Sequence, residues 1–142
     1  MEQKFIQIFD GLKRDYGYAE VSNGYKDSTT GKFKVKHGWA GKQLTDTDYL
    51  QHLKGEKSIG IQPCDDNGMV SFGAIDIDSK SYQDFSPRKY LEIIEQNNLP
   101  VVPVKSKSGG LHLYVYTKEK VKASFLRNFL DKLLYTLELN PT

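Results

Sequence analysis

Two aspartates separated by one residue stand in an apolar stretch, where residues 73–78 read Gly-Ala-Ile-Asp-Ile-Asp. In a strand, alternation would send Asp76 and Asp78 to one side and both isoleucines to the core. Like charges placed side by side repel unless a cation lies between them, and Mg²⁺ and Mn²⁺ prefer such hard oxygen ligands. The pair therefore predicts a divalent metal site. The alternative is a merely polar strand end, because Asp-x-Asp is common by chance.

A second segment, residues 105–112, reads Lys-Ser-Lys-Ser-Gly-Gly-Leu-His. Its glycines would let backbone N–H groups approach an anion, the lysines add positive charge, and the imidazole can donate to a phosphate oxygen. The alternative is an ordinary hairpin turn that ends in a surface histidine. The segment predicts nucleotide-phosphate contacts from Lys105, Lys107, Ser108, Gly109, Gly110 and His112.

Hydrophobic periodicity and turn residues predict the elements that must position these groups. Helices are expected at 2–10, 45–54, 86–97 and 123–137, and strands at 16–21, 32–37, 58–62, 69–78, 101–105 and 111–117. The turn at 65–68 is expected to pair strand 58–62 with strand 69–78.

From Met69 onward the predicted order is strand, helix, strand, strand, helix. This order predicts an α+β fold with a ferredoxin-like or RRM-like βαββα core, in which the Asp76 and His112 strands are neighbours. The final strand of such a core is expected to be missing. We expect one catalytic domain over 1–142, with an N-terminal α/β extension at 1–56 and the incomplete core at 57–142.

The composition of the chain is that of an ordinary soluble protein, with 142 residues, 38% of them hydrophobic and 27% charged, and a net charge of +2. Cys64 is its one cysteine, so neither a disulfide nor a zinc knuckle can form within the chain. The sequence shows no signal core and no membrane-spanning run. These features predict a cytoplasmic protein.

A hydrophobic-Asp-hydrophobic-Asp strand, a helix, and a small-residue turn leading to His together resemble the catalytic core of archaeo-eukaryotic primases. The likeness is closest to phage and mobile-element primase-polymerases, including those of TOTE conflict systems, and it covers the chain from about Trp39 onward. It implies a bacterial protein, or a phage protein that acts in the host cytoplasm. The resemblance implies that Asp76 and Asp78 bind catalytic Mg²⁺ or Mn²⁺ and that His112 contacts the triphosphate of the incoming nucleotide.

The sequence departs from the family pattern at two points. Gly110 stands where many members carry a serine, and no later acid lies in a strand context suited to the family's third carboxylate. We therefore expect the chain to be the N-terminal portion of a longer primase-polymerase.

The expected function is metal-dependent nucleotidyl transfer of the DNA primase/polymerase type. The implied partners are a single-stranded DNA template, nucleoside triphosphates and a helicase or other replication domain, without a membrane. Lys34, Lys36 and Trp39 are the candidate template contacts, since basic and aromatic side chains bind single strands with little regard to sequence. Two alternatives stay open: a non-catalytic module that binds a nucleotide or single-stranded DNA, and a metal-dependent nuclease.

Overall fold

The computed structural model describes residues 2–82 and 84–139, apart from the Val21 side chain. Within these residues the chain is a mixed α+β protein with two antiparallel sheets and four helices. It divides into two compact units, Met1–Gly68 and Met69–Thr142.

The N-terminal unit contains a three-stranded sheet and two helices. Its elements are α1 (Glu2–Ile8), β1 (Gly17–Lys26), β2 (Phe33–Trp39), α2 (Asp46–Leu53) and β3 (Ser58–Gly60). The sheet has the order β2-β1-β3, and both pairings are antiparallel. The core of this unit is built from Ile6, Tyr16, Leu44 and Tyr49.

A buried carboxylate fixes the start of α2. Thr45 and Asp48 form a capping box, in which each side chain binds the other's backbone N–H. Asp48 is 7% exposed and also accepts hydrogen bonds from the Tyr16 hydroxyl and the Lys57 ammonium. The desolvation of this carboxylate is outweighed by its bonds to Lys57 and Thr45, so its pKa is well below the usual range.

The C-terminal unit contains β4 (Met69–Ile77), α3 (Pro87–Gln96), β5 (Val102–Lys105), β6 (Leu111–Lys122) and α4 (Ala123–Thr136). Its sheet has the order β4-β6-β5, and β6 is antiparallel to both neighbours. Strands β4 and β5 therefore run parallel, with β6 inserted between them and α3 connecting them. This split βαβ arrangement followed by α4 is compatible with a ferredoxin-like core and confirms the predicted fold class.

The predicted helices and the strands of the C-terminal unit are confirmed. The predicted pairing of 58–62 with 69–78 is wrong, because β3 pairs with β1 instead. The boundary between units falls after Gly68, so β3 belongs with the N-terminal elements rather than with the core. The assignment of 1–142 to one catalytic domain stays a prediction. The missing strand is expected to begin at 139–142, where Leu139 is buried and residues 140–142 lie outside the described residues.

Candidate metal and phosphate site

The two predicted motifs meet across one strand pair of the C-terminal unit. Asp76 on β4 lies directly opposite His112 on β6. The Nε2 atom of His112 is 3.4 Å from Oδ1 of Asp76. The Asp76 side chain is 75% exposed and that of His112 is 38% exposed, so both groups are accessible. The sheet therefore places a carboxylate and an imidazole side by side.

Alternation along both strands explains why these polar groups share a face. Ile75, Ile77 and Leu113 are buried on the other face of the sheet. Helix α4 covers that apolar face: a Cβ built on Gly73 would lie 3.0 Å from side-chain atoms of Leu126 and Leu130. The apolar residues of each motif thus anchor the strands, and the polar residues project from the face opposite α4.

Tyr114, the next residue on the same face of β6 as His112, contacts the imidazole. The Tyr114 ring is half-buried and meets the His112 ring edge-on, with 6.2 Å between centroids and an interplanar angle of 85°. Tyr116 continues this row and stacks on Tyr114 at 5.9 Å. The aromatic row restricts the His112 ring on one side. Sequence analysis did not single out these tyrosines, although their spacing of two residues from His112 in a strand is the signal for a shared face.

The turn between β5 and β6 is a short hairpin loop. Gly109 has a φ of +91°, which favours glycine, and its N–H donates to the Ser106 carbonyl. The N–H of Gly110 donates to the buried Ser106 hydroxyl at 2.9 Å. These two N–H groups thus have acceptors inside the turn, which corrects the expectation that they would point at an anion. Ser106 was missed by sequence reasoning, and only its place in the Ser-x-Ser-Gly-Gly run could have indicated it.

The turn is also held against the end of β4. A Cβ on Gly110 would lie 2.2 Å from the carbonyl oxygen of Ile77, so only glycine fits here. The Ser79 hydroxyl donates to the Ser108 carbonyl at 3.5 Å. These contacts bring the segment that follows Ile77, which includes Asp78, next to the glycine turn.

The two lysines beside the turn take different positions. Lys107 is exposed at the tip of the loop. Lys105 lies opposite Leu111, whereas its neighbour Val104 lies opposite His112. Lys105 therefore belongs to the face of Leu111, away from the imidazole. Of the two predicted cations, the loop position of Lys107 is the one that suits an anion near His112.

The two predicted metal ligands, Asp76 and Asp78, are both exposed at the end of β4. Asp78 follows the last residue of β4, and its Oδ1 accepts the Lys80 N–H at 3.0 Å. Hard carboxylate oxygens that are exposed suit Mg²⁺ or Mn²⁺, which keeps water and substrate phosphate among its ligands. Over residues 2–82 and 84–139 no cluster of three or more His, Cys, Asp or Glu side chains could hold a metal. The donor chemistry fits the expected ion, with positions left for a substrate.

One later acid lies in a strand, because β6 continues past the predicted end at 117. Glu119 is in β6, seven residues beyond His112. It falls in the irregular stretch of β6 between Tyr116 and Val121, beyond the regular ladder in which Asp76 pairs with His112. Glu119 therefore does not supply a third carboxylate beside Asp76.

The candidate template residues Lys34, Lys36 and Trp39 all lie on β2 in the N-terminal unit. Because successive strand residues project from opposite faces, Trp39 lies on the opposite face of the sheet from Lys34 and Lys36. Lys34 forms a 2.5 Å ion pair with Asp27 and, with Thr30, lowers the pKa of that aspartate to about 2. Lys36 lies 3.6 Å from Glu20. The structure does not bring these three residues onto one surface.

The split βαβ unit thus presents Asp76 and His112 together on one accessible face of its sheet. A family model described as "TOTE conflict system, Archaeo-Eukaryotic Primase domain" matches residues 6–140. The chain belongs to this family, which indicates a primase-type nucleotidyltransferase function, nucleotide and DNA substrates, and dependence on a divalent metal. A comparison with curated proteins gave no match. In the part of the chain that is described, no helix is both long and apolar enough to cross a membrane.

Proposed function

We propose that the chain carries the metal-binding and nucleotide-binding part of a DNA primase/polymerase active site. Asp76 and Asp78 are the proposed metal ligands, and His112 is the proposed contact to the triphosphate. The observation that carries this proposal is the 3.4 Å approach of His112 to Asp76 across β4 and β6. A phosphate bound by the imidazole would lie within reach of a cation held by the carboxylate.

A bound Mg²⁺ or Mn²⁺ would supply charge neutralisation for the triphosphate and activation of the attacking 3′-hydroxyl. The residues of the chain hold the reacting groups in place. His112 would donate to a phosphate oxygen, and Lys107 would add positive charge from the loop tip. Ser106 and Gly110 would fix the turn against β4, so that the phosphates are oriented for in-line attack.

Template-directed synthesis tests this proposal. Primer synthesis or extension would be measured with the full-length protein and with Asp76→Ala, using DNA template, nucleotides and Mn²⁺. We expect Asp76→Ala and His112→Ala each to lower the rate about a hundredfold or more, because electrostatic groups at a reacting phosphate contribute on that scale. Asp131→Asn removes an exposed charge from α4 and is the control. Activity retained in Asp76→Ala would remove that residue from the chemistry.

A non-catalytic nucleotide-binding module is the second candidate. It is favoured by the shortage of carboxylates, since among the described residues no group of three or more His, Cys, Asp or Glu side chains could hold a metal ion. Titration with a deoxynucleoside triphosphate, with and without Mn²⁺, separates the cases. Binding that strengthens with Mn²⁺ and needs Asp76 supports the catalytic site, whereas metal-independent binding without turnover supports the module. A metal-dependent nuclease does not require an imidazole beside the carboxylate, so the pairing of His112 with Asp76 does not favour this alternative.

A further inference from the structure

A shallow hollow of about 370 Å³ lies on one face of the N-terminal sheet. It is lined by three consecutive positions from each of the strands β1, β2 and β3. Trp39 stands at its side and is 62% exposed. An indole that is largely exposed beside a hollow is available to a ligand rather than to the core.

The sheet register explains the shape of this hollow. Gly17 lies directly opposite Trp39 on one side and Gly60 on the other. Residues opposite each other on antiparallel strands project from the same face, so the floor beside the indole carries no side chain. The next row across the sheet consists of His37, Ala19 and Ser58. The side chains of Ala19 and Ser58 are short, and only His37 has a large one. We call these six residues the Trp39 slot: Gly17, Ala19, His37, Trp39, Ser58 and Gly60.

The slot suits a flat ring. The bare floor leaves space next to a rigid aromatic face, and base–aromatic stacking is the interaction that such a surface offers. Further along the same face, Phe33 is 51% exposed, and Lys26 lies opposite it. The face therefore carries two exposed aromatic rings and a cation along one strand pair.

The charges on the two sides of the sheet also favour a polyanion on this side. None of the paired positions on the Trp39 face is a carboxylate, whereas Glu20 lies on the other face opposite Lys36. A larger hollow of about 820 Å³ in the same unit adjoins the slot and shares Ala19, Trp39 and Ser58 with it. The lining of this larger hollow mixes the carboxylates of Glu20 and Glu56 with the cations of Lys42 and Lys57. The smaller hollow, on the Gly17 and Gly60 side of the indole, has no carboxylate among the described residues that line it and is therefore the better choice for a nucleic acid strand.

We infer that the Trp39 slot binds an unpaired base of a single-stranded polynucleotide, which stacks on the indole above Gly17 and Gly60. Lys26 faces the phosphodiester backbone, and Lys34 and Lys36 take no part because they lie on the opposite face. The inference rests on the proposed function only in naming the DNA template as the polynucleotide. Sequence tolerance is expected, since every base has a stacking face.

Binding of a fluorescently labelled single-stranded oligonucleotide, without nucleotide or divalent metal, tests the slot. Affinity is read from anisotropy of the label, and the slot itself is read from the intrinsic fluorescence of Trp39, the one tryptophan of the chain. We expect the single strand to quench this fluorescence. Trp39→Ala should weaken binding at least about fivefold, and Trp39→Phe should restore most of the loss because it keeps a stacking ring.

Two further variants provide the structural control. Gly60→Val places a side chain on the floor of the slot, and its Cβ would meet Gly17 Cα at an ordinary 3.5 Å. This variant should fold, bind several-fold more weakly and show little quenching. Tyr25→Ala removes an equally exposed ring, 61% against 62%, from the other face and should bind within twofold of wild type.

The inference would be overturned by unchanged binding in Trp39→Ala, by an equal loss in Tyr25→Ala, or by a duplex that binds and quenches as well as the single strand. These results leave the proposed function untouched, because they involve neither Asp76 nor a nucleotide. Conversely, a failure to detect primer synthesis or extension would not affect the result on oligonucleotide binding at the Trp39 slot.

Discussion

The α-carbon of Gly110 lies against the carbonyl oxygen of Ile77, so closely that an added Cβ would be 2.2 Å from that oxygen. This contact joins the two motifs: Ile77 stands between both aspartates, and Gly110 lies two residues before His112. Because the neighbouring atom belongs to the backbone, it cannot move aside as a flexible side chain could. The contact keeps the glycine turn, residues 106–110, against the end of β4.

The first prediction concerns this contact. Gly110→Ala should destabilise the protein by about 1–3 kcal/mol, because overpacking forces the turn away from β4. It should also weaken Mn²⁺-dependent nucleotide binding. Gly38→Ala is the matched control, since its Cβ would lie 3.5 Å from the Tyr18 ring. Urea unfolding of both variants provides the comparison. Equal stability of Gly110→Ala and Gly38→Ala would show that the turn is not held as described.

The two lysines beside the turn should differ in their contribution. Lys107→Ala should weaken triphosphate binding several-fold, because it removes a cation from the loop tip. Lys105→Ala should have less than a twofold effect, since its position is opposite Leu111 rather than on the His112 face. Isothermal titration with a deoxynucleoside triphosphate and Mn²⁺ measures both. A larger loss in Lys105→Ala would mean that the anion lies on the other side of the hairpin.

The buried carboxylate of the N-terminal unit gives a stability prediction. Asp48→Asn should cost about 3 kcal/mol, because Lys57 would be left without its buried ionic partner. Asp66→Asn is the control: it removes an exposed ion pair with Arg14 and should cost less than about 1 kcal/mol. The free energy of unfolding in urea at neutral pH measures both changes. Similar small losses would show that the Asp48 network contributes little.

The same carboxylate sets a pH dependence. Since folding lowers the pKa of Asp48, its contribution is fully present above the unfolded value of about 3.9 and is lost as the pH falls below it. The difference in unfolding free energy between wild type and Asp48→Asn should therefore be constant from pH 5 to 7 and shrink towards pH 2. A difference that grows on acidification would contradict the assigned ion pair.

Local patterns in the sequence were sufficient to predict the strands that carry Asp76 and His112, and to predict that these two strands are neighbours. The alternation of Ile75, Asp76 and Ile77 gave the correct face, and Thr45 marked the start of α2. Long-range pairing was less accessible: the turn residues at 65–68 suggested a local hairpin, but β3 has three residues and pairs with the distant β1.

Two errors had different physical origins. Grouping Lys34 and Lys36 with Trp39 by charge and aromaticity ignored the alternation that the strand itself imposes, so the correct faces were within reach of the sequence. The acceptors of the Gly109 and Gly110 N–H groups could not be predicted from the sequence, because they depend on the backbone geometry of the turn. The packing of Gly110 on Ile77 likewise requires coordinates.

The central claim is that a divalent cation held by the aspartates lies beside the imidazole of His112. Paramagnetic Mn²⁺ tests this by nuclear magnetic resonance, because it broadens signals of nearby nuclei whether or not the protein turns over substrate. The chain has three histidines, so His37 and His52 are internal references. With a deoxynucleoside triphosphate present, we predict that substoichiometric Mn²⁺ broadens the His112 imidazole signal selectively and that Asp76→Asn abolishes this effect. Broadening that spares His112, or that persists unchanged in Asp76→Asn, would contradict the account.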